Sequence, residues 1–388
     1  SGDVIFNSVS VGKGANSVSG NTVLGESALD AAVTGVNNTA IGKEALTTLT
    51  SGVNNSALGN TALKDTTTGS YNAAYGNNSL ANNTSGNYNV AVGNNALITA
   101  TTGSSNTGIG NAALQNTTTS SNNTAVGKDS LKANTTGHSN TAVGTYALDA
   151  NTTANHNTAI GLNSLGVNTT GVANTAVGSG ALDASTTASN NTAVGFSSLG
   201  ANTTGANNVA LGYEALNVNT TGTQNTALGK TALQANTTAD YNTAVGSSAL
   251  YTNTTGAHNT AVGRTALYAN TTASNNTAVG SNTLGSNTTG ASNVAVGTYA
   301  LDANTTGASN TTIGKDALTS NTTADFNSAL GAGALYSNTT GASNTGIGRG
   351  SLGNNTTASN NVAVGAMALN ANTTGTQNNA LGVQALDA

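Results

Sequence analysis

The chain of 388 residues has no cysteine, no proline and no tryptophan, and only 9 Lys or Arg and 14 Asp or Glu. Without cysteine there are no disulfides and no thiolate metal ligands. A net charge of −5, thinly spread, offers neither a basic surface for nucleic acid nor a polyanionic tail. No apolar run is long enough to span a bilayer as a helix, and no secretory signal is visible. Ser1-Gly2 reads as a remnant of tag removal, and the stop at Ala388, partway through a repeat, reads as a fragment of a longer chain.

What is abundant is glycine, 49 residues, together with Asn and Thr. One glycine recurs with a strict period of 17, from Gly25, Gly42 and Gly59 to Gly365 and Gly382, with no insertion or deletion. A fixed short period marks a solenoid, in which each turn touches mainly its neighbours. Low-complexity disorder is the alternative for such a composition. Apolar residues held in register over the whole array argue against it. The predicted architecture is all-β, a parallel β-solenoid of 17-residue rungs, about 22 of them, over 21–388. Residues 1–20, where the spacing Gly12 to Gly25 is shorter, form an N-terminal cap or transition segment. At about 4.8 Å per rung the array predicts a rod on the order of 100 Å long.

The rung Asn123-Thr124-Ala125-Val126-Gly127 shows the columns. Four residues before the glycine is always Asn; directly before it is an apolar residue; four after it is always Leu. Two before it is Ala in most rungs, with Val23, Gly108, Thr312 and Gly346 the exceptions. Asn-Thr-Ala-Val reads as a short strand, with Thr124 and Val126 on one face and Asn123 and Ala125 on the other. Gly127 permits a positive-φ turn. The Leu segment reads as a second strand, and Asn134-Thr135-Thr136-Gly137 as the connecting turn. The predicted core is Val126, Val143 and Ile160 with Leu131, Leu148 and Leu165.

If the Val face looks inward, the Ala face looks out. Its restriction to small side chains then predicts close approach of another surface along Ala125, Ala142, Ala159, Ala176, Ala193, Ala210, Ala227, Ala244 and Ala261. The alternative is that Ala fills a narrow side of the same core. Two large apolar side chains per rung leave a lone roll under-cored, which favours a bundle of rolls. Neutrality of the fixed columns follows from stacking, since like charges would repel at every rung.

These columns resemble the head repeats of trimeric autotransporter adhesins, the YadA-like family. The match lies in Asn293-Val294-Ala295-Val296-Gly297, Asn157 to Gly161, and Asn7-Ser8-Val9-Ser10-Val11-Gly12. Similar repeats occur in phage tail fibres. The resemblance covers about residues 7–388 and implies a left-handed β-roll, three chains side by side, with the Ala column facing the trimer interior. The rung here is longer than the family's, and the extra length falls at Asn-Thr-Thr-Gly. The implied protein is an extracellular, non-enzymatic homotrimer, on a bacterial surface or a virion, attaching to a host-surface glycan or protein.

No repeating frame carries catalysis. His138, His156 and His258 lie in the variable turn with no recurring carboxylate, so no metal, cofactor or catalytic residue is expected. Asp129 and Asp316 follow Lys128 and Lys315 as solvated pairs. Tyr71, Tyr88, Tyr241 and Phe326 share one column and are the candidates for receptor contact; Tyr251, Tyr268 and Tyr336 share another. Asn-Thr-Thr fits a glycosylation sequon but is better explained as turn chemistry. An ice-binding solenoid is the runner-up, because stacked Thr columns can match a lattice.

Overall fold

A computed structural model describes residues 3–387; the readings placed on Ser1-Gly2 and on Ala388 lie outside them. The chain falls into two compact units, residues 1–191 and 192–388. Each unit is a parallel β-solenoid with a 17-residue turn, and no α-helix occurs among the described residues.

In the first unit β1 (Val4–Phe6) and β2 (Val9–Gly12) form an antiparallel hairpin. β2 then pairs antiparallel with β3 (Thr22–Gly25), placing Val11 opposite Leu24. From β3 onward every pairing recorded in this unit is parallel and in strict register. Thr141 lies against Thr158, Ala142 against Ala159 and Val143 against Ile160. The second unit repeats the arrangement, with Thr243 against Thr260, Ala244 against Ala261 and Val245 against Val262.

Beyond β3 each rung carries one strand of three residues, not two strands. The Leu segment fails as a strand because its backbone is left-handed: Leu131 has φ 49° and Leu148 has φ 51°. It still stacks through hydrogen bonds, with the Leu131 N–H donating to the Ala147 carbonyl at 3.0 Å. Two further positions per rung share this conformation, as at Asp129 (φ 55°) and Ser139 (φ 57°). The strand-ending glycine is needed for a different reason. Gly127 has φ 133°, and a Cβ there would lie 2.6 Å from the Gly144 carbonyl oxygen of the next rung.

Two asparagine ladders hold the rungs together. Asn123 Oδ1 accepts from the Asn140 backbone N–H at 3.0 Å, and Asn123 Nδ2 donates to the Gly137 carbonyl at 2.9 Å. A second ladder runs through the Asn of Asn-Thr-Thr: Asn151 Nδ2 donates to Asn134 Oδ1 at 3.0 Å and to the Ala154 carbonyl at 3.1 Å. These side chains are buried, so each amide satisfies backbone groups that water cannot reach. The neighbouring Thr stitches the same turn, as Thr135 Oγ1 donates to the Thr152 carbonyl at 3.0 Å.

Candidate interaction surface

The alternation read from the strand is present, but its two faces are reversed. Ala125, Ala142, Ala159 and Ala176, and in the second unit Ala193, Ala210, Ala227, Ala244 and Ala261, are all 0% exposed within the single chain. They are core and cannot meet a sister molecule. Leu131, Leu148 and Leu165 are buried as expected. Val126, Val143 and Ile160 are not core: they point outward, and Ile160 is 40% exposed.

The reason is the width of the roll. A Cβ placed on Gly108, the natural gap in the Ala column, would come within 3.3 Å of the Leu97 side chain and of the Ala113 carbonyl. Leu from the turn fills most of the interior, and the inward strand position is held to Ala or Gly in all but two rungs, where Val23 and Thr312 are buried in their place.

The outward face of the strand therefore presents two columns: Thr, Ser, Ala or Val at the first strand position, and Val, Ile, Leu or Tyr at the third. Neither column holds a charged residue in any rung of the array. Apart from Asn379, all their members are apolar or hydroxyl-bearing. In the second unit Thr311, Ile313, Ser328, Leu330 and Ile347 border an apolar hollow of about 190 Å³ on this face.

The aromatic candidates stand on other columns. Tyr71 and Tyr88 stack with centroids 5.0 Å apart and planes 9° apart. Tyr241 stacks on His258 at 4.8 Å, a pairing the sequence reading missed. Phe326, 64% exposed, stands without an aromatic partner among the described residues. Tyr251 and Tyr268 stack at 5.2 Å with planes 2° apart. His138 and His156 meet edge to face at 5.3 Å, and no group of three or more potential metal ligands exists among the described residues. Lys315 and Asp316 form the expected exposed pair at 3.5 Å, but Asp129 is buried and lies nearer Lys132, at 3.1 Å, than Lys128, at 3.8 Å, so it is not a solvated pair. The Asn of Asn-Thr-Thr is buried with its Nδ2 engaged, so the sequon is turn structure.

Three aspartates on the column after the core Leu have displaced acidities. Burial pushes the Asp149, Asp183 and Asp302 carboxyls up. At Asp149 the nearby Asp129 charge adds to this, and Lys132 opposes it.

No family model matches the chain, and no curated protein matches it.

Proposed function

We propose that the chain is a structural and adhesive segment of an extracellular homotrimeric fibre, three left-handed rolls packed with their Thr/Val faces together. The observation that carries this reading is the charge-free outward strand face, repeated on every rung of both units. Ordinary soluble surface mixes charges of both signs, and a long apolar row without them marks a contact site.

The magnitude is sufficient. Covering a half-exposed Val, Ile or Leu contributes about 0.5–1.5 kcal/mol per rung. Over the strands of one unit this reaches roughly 5–15 kcal/mol per chain, in the range that sustains a stable assembly. The interface column is the apolar one, moved by one residue from the Ala column that the resemblance implied. The three-fold number rests on the YadA-like resemblance. A second copy is the natural occupant, because an identical stack matches the row rung for rung. The exposed aromatics, Tyr71, Tyr88, Tyr241 and Phe326, stand off this face and remain the candidates for a host-surface receptor.

Light scattering with size separation on the purified chain is the test. Particles of three chains are expected; a monomer at micromolar concentration overturns the reading.

One observation favours a second reading, an ice-binding solenoid. Thr and Val columns on the same side of a regular parallel sheet form the kind of repeating flat array that a lattice can match. That reading needs the face free of sister chains. Thermal hysteresis by a monomer would support it, and its absence at millimolar protein removes it.

A further inference from the structure

The column one residue after the core Leu accepts almost anything: Lys132, Gln234, Tyr251, Asp302. Four times it holds glycine, at Gly166, Gly200, Gly285 and Gly353, and each time the next rung holds Asp or Asn, at Asp183, Asn217, Asp302 and Asn370. The polar side chain leans into the space that the glycine leaves. A Cβ on Gly285 would lie 2.6 Å from Asp302 Oδ1, and one on Gly353 2.5 Å from Asn370 Nδ2.

At Gly285 the space is more than a packing gap. Tyr251 covers one face of the Tyr268 ring. On the other side the next rung offers only Gly285, so that face meets no side chain from its own column. The other aromatic stacks end differently: Tyr88 is followed by Ser105, and His258 by Asn275. Tyr268, Gly285 and Asp302 with Thr265 and Asn282 border an open notch of about 260 Å³. This lies just below the usual range for small-molecule pockets and suits one ring rather than a chain. Thr265 Oγ1 donates to Asn282 Oδ1 along its side, leaving the Asn282 amide N–H groups without a recorded partner. The Asp302 carboxyl, partly out of water, takes a hydrogen bond from the Gly285 backbone N–H and borders the far side of the notch.

The dimensions select the guest. Tyr268 and Asp302 stand two rungs apart, roughly 9–10 Å along the stack. A ring in van der Waals contact with the tyrosine, at about 3.5–4 Å, places its far substituents about one hydrogen bond from the carboxylate. That guest needs a flat apolar face on one side and hydroxyl donors on the other. We propose that this notch is a monosaccharide subsite: a pyranose lays its C–H face on Tyr268 and donates hydroxyl hydrogen bonds to Asp302, with Asn282 at its side. The site does not depend on the trimeric reading, since none of its residues lies on the Thr/Val face.

The related triplet Tyr336, Gly353 and Asn370 is a built-in control. There Gly353 is buried, and Asn370 is drawn in by a hydrogen bond from its Nδ2 to the Gly350 carbonyl at 2.7 Å and one accepted from Asn354 at 3.3 Å. Asp302 leans toward Gly285 in the same way, with the Gly285 backbone N–H directed at its carboxylate, but Gly285 stays part-exposed where Gly353 is covered.

Saturation-transfer difference NMR on the intact chain, with methyl glycosides of glucose, galactose, mannose and N-acetylglucosamine as probes, tests the proposal. Saturation of the ring C–H protons of at least one probe is expected. Tyr268→Ala should weaken it at least tenfold. Gly285→Gln refills the notch with a residue the column already carries at Gln115 and Gln234, so the fold should persist, and it too should abolish the signal. Tyr336→Ala should leave the signal unchanged. No transfer to any probe overturns the proposal, and so does a signal that survives Gly285→Gln, which would place binding on another aromatic.

Discussion

Ser185→Asn should stabilise the first unit. The buried ladder of Asn-Thr-Thr residues runs Asn134, Asn151, Asn168 and then meets Ser185. Asn168 Nδ2 donates to Asn151 Oδ1 at 3.2 Å, but Asn168 Oδ1 has no partner, nor has Ser185 Oγ. Both atoms are sealed from water. An asparagine at 185 would send one Nδ2 hydrogen to Asn168 Oδ1. The other would reach the Ala188 carbonyl, as Asn168 does to Gly171 at 3.0 Å. An unsatisfied buried acceptor costs about 1–3 kcal/mol, and a new hydrogen bond adds about 0.5–1.5 kcal/mol. Ordering the longer side chain takes back up to about 1 kcal/mol. A net gain of about 1–3 kcal/mol follows. Repeat arrays open locally, so a global melting curve understates such a change. Native-state hydrogen exchange should show slower exchange at the rungs around 168–188, by a factor of about 5–100. The reverse change, Asn151→Ser, creates the same pair of orphans and should speed exchange by a similar factor. Equal exchange in Ser185→Asn and the parent chain would refute the ladder argument.

Other perturbations have equally definite expected outcomes. Thr312 stands in the Ala column with its hydroxyl buried and unpaired; Thr312→Val keeps the volume, removes the orphan and should gain about 1–2 kcal/mol in denaturant unfolding. Gly127→Ala forces a Cβ to 2.6 Å from the Gly144 carbonyl oxygen at φ 133° and should cost about 2–4 kcal/mol by the same measurement. Burial pushes the pKa of Asp149, Asp183 and Asp302 above the ordinary 3.8. Each therefore leaves stability intact below that value and withdraws it as pH rises through the raised one. Glu44, held low by its hydrogen bond and charge contact with Lys64, acts in the opposite sense, and only below 4.5. Melting temperature should thus rise on going from neutral pH to about 4.5, and the Asp149→Asn, Asp183→Asn, Asp302→Asn triple variant should flatten the profile.

The period, the one solenoid turn per repeat, the alternation of Thr/Val against Asn/Ala and the buried Leu were all legible from spacing. The direction of the alternation was not. Branched side chains ordinarily mark the inward face, and nothing in the sequence reports the width of the interior. That width appears only when Leu97 and Ala113 are seen closing on Gly108. The left-handed backbone of Leu131 and its equivalents was hidden too, because leucine has no preference for positive φ and gives no hint of it. Its neighbours in that conformation, Asp129 and Ser139, stand in columns filled partly by Asn, Asp, Ser and Gly, which was the one available signal. The Tyr268 notch required reading across rungs, from a tyrosine to the glycine one rung on and the aspartate one rung beyond that.

The proposed assembly puts the Thr/Val strand face against sister chains, and the absence of cysteine makes that directly measurable. A single cysteine at Val177 would lie on the outward apolar column, and one at Ala176 inside the roll. Treatment of the native Val177→Cys protein with a short bis-maleimide should join chains to one another on a denaturing gel, while Ala176→Cys should stay unreacted. Chains that remain single with the reagent attached at position 177, under conditions where the protein is at working concentration, would contradict it.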